Sequence, residues 1–233
     1  NWTKVFVPFG TGDIHLGNRV VKYTSGLSSK TVYHAGYVNA ITALRWAKAQ
    51  GNFNKVVITG SSAGGYGTIL HAYSAYKVFN QPIYTVNDSG PGLNADPSAK
   101  SGNNAELGNR WGSWQNFPAG AITDQSKQLL YFTEYTLANC TNCYYGLFET
   151  LQDSTISNFE GISGAAHQAQ LLKVVKDIDS RNDARFGYYL PNGTAHTILS
   201  ANGFYSTTLS GTYLYNWVNN QINGSTSDLS AVN

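Results

Sequence analysis

The sequence predicts an α/β fold in which a mostly parallel sheet carries helices on both faces. Short β-branched or aromatic runs alternate with segments of helical periodicity along the whole chain. One run, Lys55–Thr59 (KVVIT), is apolar or β-branched almost throughout, which is typical of a parallel strand buried on both sides. No internal repeat or linker interrupts the pattern. We therefore expect a single domain over residues 1–233.

Composition excludes several classes of protein. The 233 residues carry a net charge of +2, and 12% of them are charged, against about 25% in a typical soluble domain. Apolar residues make up 42%, which is enough for a folded core, and no Lys/Arg run is present that would suit a nucleic-acid backbone. No stretch approaches the ~18 apolar residues of a membrane span. Such a polar but weakly charged surface is typical of secreted proteins.

The predicted strands are short runs rich in β-branched and aromatic residues. Each is closed by residues that favour turns, such as Gly, Pro, Asn or Asp. In chain order the strands are predicted at Lys4–Pro8, Lys55–Thr59, Pro82–Val86, Tyr144–Leu151 and Phe186–Leu190, the last of which closes the sheet.

Helices are predicted where apolar residues recur every three or four positions. In the clearest case Val38, Ile41 and Leu44 share one face, and Gly51 ends the helix. The segment 93–121 is rich in loop residues and separates the second helix from the third. The helices are predicted at Tyr37–Gln50, Thr68–Phe79, Gln125–Ala138, His167–Ile178 and Tyr213–Ile222.

The clearest chemical signal is Gly60-Ser61-Ser62-Ala63-Gly64, which matches G-x-S-x-G with Ser62 at its centre. The motif follows a β-branched run and precedes a helix, which is the context of the nucleophile turn in an α/β-hydrolase-type fold. Ser62 would present its hydroxyl above the sheet edge, with the Ala63 amide directed at a developing oxyanion. The alternative is an ordinary glycine-rich turn that binds phosphate, although the phosphate-loop pattern G-x-x-x-x-G-K-[ST] is missing.

A serine nucleophile needs a histidine base, and the base needs an acid that orients it, in the chain order Ser, acid, His. His196 lies in a short loop after the last predicted strand, so we expect it to be the base; a locally hydrogen-bonded loop histidine is the alternative. Asp153 follows the strand Tyr144–Leu151 and is the expected acid. Asp88 is the second candidate, because it also follows a strand and would lie at the same edge of the sheet.

Two further groups of residues could border the pocket. Asp13 and His15 lie in the loop after the first predicted strand, where they could contact substrate; an Asx-type turn at Asp13 that stabilises the loop is the alternative. Trp111, Trp114 and Phe117 could form an aromatic platform for sugar rings. Packing into a lid or satellite core is favoured for these three, since aromatic side chains are mostly buried.

The two cysteines, Cys140 and Cys143, are separated by two residues. This spacing occurs in thiol–disulfide exchange proteins of the cytosol. Two cysteines without a pair of histidines nearby cannot form a tetrahedral zinc site. We interpret them as a short disulfide in an extracellular loop.

Taken in order, these motifs resemble those of the pectin acetylesterase family, which includes the Notum carboxylesterases. The resemblance implies an α/β-hydrolase fold, a triad of Ser62, Asp153 and His196, secretion, and no cofactor or metal. It also implies removal of acyl groups, typically acetyl, from a polysaccharide such as pectin. The matching stretches are VPFGTGDIHLG (Val7–Gly17), GSSAGG (Gly60–Gly65), NDSG (Asn87–Gly90), LQD (Leu151–Asp153) and GTAHT (Gly193–Thr197).

The family also carries a glycine-rich segment upstream of the stretch Val7–Gly17, and that segment supplies a second oxyanion amide. This sequence begins after it, so we expect an N-terminally incomplete enzyme. Two other functions fit the same motifs. One is a lipid or polyester esterase with the same triad, and the other is a non-catalytic glycan-binding protein built on the hydrolase scaffold.

Overall fold

The computed structural model describes residues 2–94, 108, 110–121, 128–182, 184–225 and 230–232. Within them the chain forms nine strands, which fall into three separate sheets. The strands are β1 (Arg19–Ser25), β2 (Ser28–His34), β3 (Val56–Ser61), β4 (Ile83–Asp88), β5 (Tyr144–Phe148), β6 (Phe186–Leu190), β7 (Thr208–Leu209), β8 (Thr212–Tyr213) and β9 (Ala231–Val232).

Six α-helices connect these strands in the described part of the chain, together with short 3₁₀ turns at 114–116, 129–131 and 202–205. The helices are α1 (Gly36–Ala49), α2 (Ala63–Phe79), α3 (Phe132–Asn139), α4 (Ser154–Glu160), α5 (Gly164–Asn182) and α6 (Leu214–Ile222). No helix among the described residues is long and apolar enough to cross a membrane.

The main sheet is parallel throughout and has the strand order β3-β4-β5-β6-β9. Because parallel strands all point the same way, their carboxyl ends meet at one edge of the sheet. At that edge β3 leads to Ser62, and β4 ends at Asp88. The next two strands, β5 and β6, are followed closely by Asp153 and His196. The predicted parallel sheet is confirmed, and its topology brings the candidate site residues to the same side.

Side chains of the main sheet alternate between two apolar cores. Tyr145 and Leu147 of β5 face the larger core, to which α2, α3 and α5 contribute. Phe148, the next residue of β5, faces a smaller core formed with Leu214 and Trp217 of α6. Successive side chains of a strand point to opposite faces, so the two cores lie on opposite sides of the sheet. Helices therefore cover both faces, as predicted.

Four of the five predicted strands are present as β3 to β6, within a few residues of the expected bounds. The prediction at Lys4–Pro8 is wrong, because that segment has no regular secondary structure and the Phe6 side chain is 87% exposed. Its residues favour β-structure but pair with no strand among those described, and an unpaired strand is not stable. The strand Phe186–Leu190 is also not the last one, since β9 pairs with it at the edge of the sheet.

The helix predictions differ mainly at their starts and in what they omit. Helix α2 begins at Ala63, directly after Ser62, whereas the prediction placed its start at Thr68. The antiparallel pair β1–β2 and the short helix α4 were not predicted. Of the predicted helix Gln125–Ala138, the first residues lie outside the described part, and α3 covers the rest from Phe132. The predicted loop 93–121 also lies partly outside it.

Candidate active site

Ser62 occupies a strained turn between β3 and α2. Its backbone has φ 56° and ψ −118°, a region that residues with a Cβ rarely adopt and that is associated with functional sites. The turn is tight because β3 and the first turn of α2 nearly touch. A Cβ at Gly60 would lie 2.5 Å from the carbonyl of Gly64. The first glycine of the motif, Gly60, is therefore required by close backbone contact.

The main chain of Ser62 is fixed from both sides. Its amide donates to the Asp88 carbonyl at 2.8 Å, and its carbonyl accepts from Tyr66 N at 3.0 Å. Ala63 is the first residue of α2, where backbone amides have no acceptor within the helix and the helix dipole favours negative charge. The Ala63 N–H is thus available to a developing oxyanion beside Ser62.

His196 lies in the loop after β6 and is held by Asp153. The His196 Nδ1 and Asp153 Oδ2 atoms are 2.6 Å apart. The other ring nitrogen, Nε2, is buried and forms no hydrogen bond with any described residue, the Ser62 hydroxyl included. Since Asp153 accepts from Nδ1–H, Nε2 carries a free lone pair and can accept a proton.

Asp153 is fully buried, and both of its carboxylate oxygens accept hydrogen bonds. Oδ1 accepts from Thr155 N at 2.8 Å and from Ile156 N at 2.9 Å, so Asp153 is the N-cap of α4. Burial acts to raise the pKa of Asp153, but the hydrogen bonds from His196 and Ile156 outweigh it and lower the pKa. Asp153 is therefore ionised next to the imidazole.

Asp88, the second candidate for the acid, takes a different position. Its carboxylate accepts from the Ser61 hydroxyl at 2.5 Å and from the amides of Ile198 and Leu199 at 3.0 to 3.2 Å. No hydrogen bond joins it to the His196 ring among the described residues. The structure therefore pairs Asp153 with the His196 ring and pairs Asp88 with the backbone of Ile198 and Leu199, in the loop that contains His196.

Two buried glutamates near Asp153 were missed by the sequence analysis. Burial, followed by the negative charge of Asp153, raises the pKa of Glu149 well above its ordinary range. Burial also raises the pKa of Glu160 to about 7, and Glu160 accepts from the Tyr66 hydroxyl at 2.7 Å. The signal available in the sequence was Glu149 itself, a charged residue directly after the apolar strand β5. Burial beside the ionised Asp153 thus favours the neutral form of the neighbouring acid Glu149.

Asp13 lies in the protein interior. Its side chain is fully buried, and Oδ2 accepts from Gly36 N at 2.9 Å at the start of α1. Gly17 and Gly36 pack against the Asp13 carboxylate so closely that a Cβ at either would overlap it. This geometry favours loop stabilisation over substrate contact for Asp13.

His15 lies beside helix α2 and is partly exposed. A Cβ at Gly67 of α2 would lie 3.1 Å from the His15 Cβ, and the His15 carbonyl bonds His71 Nε2 at 2.8 Å. The Phe9 ring lies 5.3 Å from the His15 ring, centroid to centroid. Burial lowers the pKa of His15, although the charge of Asp13 acts in the opposite direction. Of the residues predicted in this loop, His15 alone is placed where a ligand could reach it.

The aromatic residues of the loop pack onto the larger core. Trp114 contacts Phe117 at 5.6 Å between ring centroids, and Phe117 contacts Phe132 of α3 at 4.8 Å. Trp111 lies against His34 on the other side. Both tryptophans are partly buried against this core. The geometry agrees with packing, which is the favoured of the two interpretations for Trp111 and Trp114.

The predicted short disulfide is confirmed, because Cys140 and Cys143 are bonded directly after α3. Both sulfur-bearing side chains are buried. Across the described residues, no group of three or more His, Cys, Asp or Glu side chains could hold a metal ion.

Comparison with known proteins gives a match in structure and none in sequence. No family model and no curated protein matches this chain. The Wnt deacylase Notum from Drosophila, in crystal form II, matches with a TM-score of 0.67 and 14% identity, over 95% of this chain and 68% of that chain. Crystal form I gives 0.63 and 13%, over 97% and 67%. The chain therefore has the α/β-hydrolase fold of the Notum structures.

Proposed function

We propose that this protein is a serine carboxylesterase that removes acyl groups, acetyl groups in particular, from a polysaccharide such as pectin. The observation that carries the proposal is the arrangement of His196. Its Nδ1 is bound by the ionised Asp153, and its buried Nε2 is left free. Ser62 lies in its strained turn at the same edge of the sheet. These are the parts of an acyl-transfer triad.

In the proposed first half-reaction, Ser62 Oγ attacks the ester carbonyl while His196 Nε2 takes the hydroxyl proton. The Asp153 carboxylate stabilises the resulting imidazolium. The negative charge that develops on the carbonyl oxygen is bound by the Ala63 amide. His196 then returns its proton to the departing alcohol, and the acyl group remains on Ser62.

In the second half-reaction, water attacks the acyl-Ser62 carbonyl and gives its proton to His196 Nε2. The same amide binds the second oxyanion. Collapse of this intermediate breaks the bond to Ser62 Oγ, which regains its proton from His196, and the carboxylic acid leaves. Each group of the triad returns to its starting protonation state.

The polysaccharide substrate and the extracellular location rest on other observations. The motif resemblance to pectin acetylesterases supports the substrate class, and the fold shared with a Wnt deacylase supports acyl removal in general. The buried disulfide of Cys140 and Cys143 is typical of an oxidising compartment and supports secretion.

The proposal is tested by hydrolysis of p-nitrophenyl acetate with wild type, Ser62→Ala and Ser180→Ala. Ser180 is an exposed serine of α5, remote from the sheet edge, and provides the same chemical change as a control. We expect Ser62→Ala to lower kcat by about 10⁴-fold or more, and Ser180→Ala to keep the wild-type kcat. Equal rates for Ser62→Ala and wild type contradict the proposal.

Covalent labelling separates an enzyme from a glycan-binding protein without activity. A fluorophosphonate probe should label wild type at Ser62 and leave Ser62→Ala unlabelled. Unlabelled wild type that still binds acetylated polysaccharide favours the non-catalytic alternative.

A lipid or polyester esterase is the second candidate function, and the structural match to a Wnt deacylase favours it. Acetyl, butyryl and octanoyl p-nitrophenyl esters separate the two functions. The carbohydrate esterase should prefer acetyl, whereas kcat/KM that rises with acyl length favours the second candidate.

A further inference from the structure

Asp88 contacts both the turn that carries Ser62 and the loop that carries His196. It is the last residue of β4, the strand next to β3, which carries the nucleophile turn. Its side chain is fully buried, and its carboxylate accepts hydrogen bonds from the hydroxyls of Ser61 and Ser89 and from the amides of Ile198 and Leu199. The proposed mechanism does not use this charge, so its role needs a separate explanation.

Toward the base, Asp88 and its neighbour hold three successive backbone amides. Thr197 N donates to Ser89 Oγ at 3.1 Å, directly after His196. Ile198 N lies 3.0 and 3.2 Å from the two carboxylate oxygens of Asp88, and Leu199 N donates to Oδ2 at 3.1 Å. The backbone of the histidine loop is therefore bound to the end of β4.

This loop is shaped to receive an anion. Thr197 has φ 63°, in the left-handed region, which turns consecutive amides toward one point. Successive N–H groups in such a turn form a concave binding site for negative charge. The Asp88 carboxylate occupies that site. Both the charge and the shape of the carboxylate suit it to accept from the amides of Ile198 and Leu199.

Toward the nucleophile, the same residue bonds the turn that carries Ser62. The Ser61 hydroxyl donates to Asp88 Oδ2 at 2.5 Å. The Ser62 amide donates to the Asp88 carbonyl at 2.8 Å. Side chain and main chain of one residue thus contact both the turn before α2 and the loop after β6.

We propose that Asp88 is a positioning residue that fixes the spacing between Ser62 and His196. The inference rests on the proposed esterase function. Asp153 orients the imidazole ring through its Nδ1, and it leaves the backbone of His196 to be fixed by other groups. Thr150 and Ser154 bind the carbonyls of the two residues before His196. Asp88 and Ser89 supply the restraint on the residues after it and tie that restraint to the turn at Ser62. Loss of the restraint displaces the base from the serine without changing the chemistry of either.

The test compares Asp88→Asn with wild type in p-nitrophenyl acetate hydrolysis. Asparagine keeps the size of the side chain but presents an N–H₂ group to donors that need an acceptor. A displacement of about 1 Å at the reacting groups lowers rates by about 100-fold, so we expect kcat to fall by about that factor with KM nearly unchanged. The rate constant for fluorophosphonate labelling should fall in parallel.

Active-site titration separates positioning from a merely structural role. After long incubation, Asp88→Asn should still incorporate one fluorophosphonate per chain, because every molecule is folded and reacts slowly. If Asp88 only supports folding, the labelled fraction falls and the remaining molecules react at the wild-type rate. That result overturns the proposal, as does a kcat within threefold of wild type.

Ser89→Ala is the second variant, and it keeps the inference testable if Asp88→Asn does not fold. It removes the acceptor for Thr197 N, together with the long hydrogen bond of 3.4 Å from Ser89 Oγ to Asp88 Oδ1. Loss of one hydrogen bond at the loop is expected to lower kcat by about tenfold, with one label still incorporated per chain. Wild-type kcat in Ser89→Ala counts against the proposal.

Failure of this inference and failure of the proposed esterase function give different results. Ser62→Ala with wild-type activity disproves the esterase, whatever Asp88 does. An active enzyme in which Asp88→Asn is more damaging than Asp153→Asn overturns the inference alone, since Asp88 would then act as the triad acid.

Discussion

Asp153 and His196 are joined through Oδ2 and Nδ1 at 2.6 Å, while the other carboxylate oxygen of Asp153 caps helix α4. The cap fixes the carboxylate, and the fixed carboxylate sets which ring nitrogen carries the proton. The Asp153 side chain therefore fixes both its own position in the fold and the tautomer of the His196 ring. Separate substitutions can distinguish these two roles.

Asp153→Asn should abolish most activity while leaving the fold intact. Asparagine is as good an N-cap as aspartate, so α4 keeps its start. Its amide cannot accept from Nδ1–H in the same way, and the wrong tautomer of the base costs ~10⁴ in kcat in a triad of this kind. Asp153→Ala should lose the cap as well, at about 1 kcal/mol in the free energy of unfolding. Urea unfolding and p-nitrophenyl acetate kinetics measure the two effects, and a large loss of stability in Asp153→Asn contradicts their separation.

Gly90→Ala should destabilise the protein, and Gly64→Ala should not. A Cβ at Gly90 would overlap the backbone of Gly65 and the amide of Tyr66, where the loop after β4 meets helix α2. Overpacking of this kind costs about 1–3 kcal/mol. A Cβ at Gly64 meets no atom within 4 Å, and alanine favours helix there by up to about 1 kcal/mol. Thermal unfolding of both variants checks the pair, and equal shifts would contradict it.

The strands β3 to β6 and the turn at Ser62 could be predicted because their signals are local. The β-branched run of β3 and the motif around Ser62 lie within ten residues of each other, and close backbone contact explains the first glycine of the motif, Gly60. The order of strands along the chain then placed Asp153 and His196 at one edge. The start of α2 at Ala63 was missed because glycine has low helix propensity, which tight packing overrides here.

The remaining features depend on contacts between distant segments, which spacing does not reveal. Asp13 is enclosed by Gly36, 23 positions later, and Lys4–Pro8 has the composition of a strand without a described partner. The raised pKa of Glu149 follows from its burial beside Asp153 and has no signature in composition. The contacts of Asp88 with residues 110 and 111 positions later likewise required the folded structure.

Reduction of the disulfide should lower stability by about 2 kcal/mol, at the low end of the usual range, because Cys140 and Cys143 close a short loop. Urea unfolding of wild type with and without a thiol reductant measures the loss. A double variant, Cys140→Ala with Cys143→Ala, should show no response to the reductant. If the reductant affects both proteins equally, its effect does not arise from this bond.

Stability should depend on pH through Glu160. Its pKa is about 7 in the folded protein, mainly because of burial, against 4.5 ordinarily, so the folded state binds more protons between these values. Stability from this group is complete below pH 4.5 and is lost as the pH rises to 7, at about 1.4 kcal/mol per pKa unit. Glu160→Gln keeps an acceptor for Tyr66 and cannot ionise. The unfolding free energy of wild type minus that of the variant should therefore fall across this range and stay level above it. His71, with its pKa lowered to about 4 by burial, acts in the opposite direction but equally in both proteins. A difference that does not change with pH disproves the prediction.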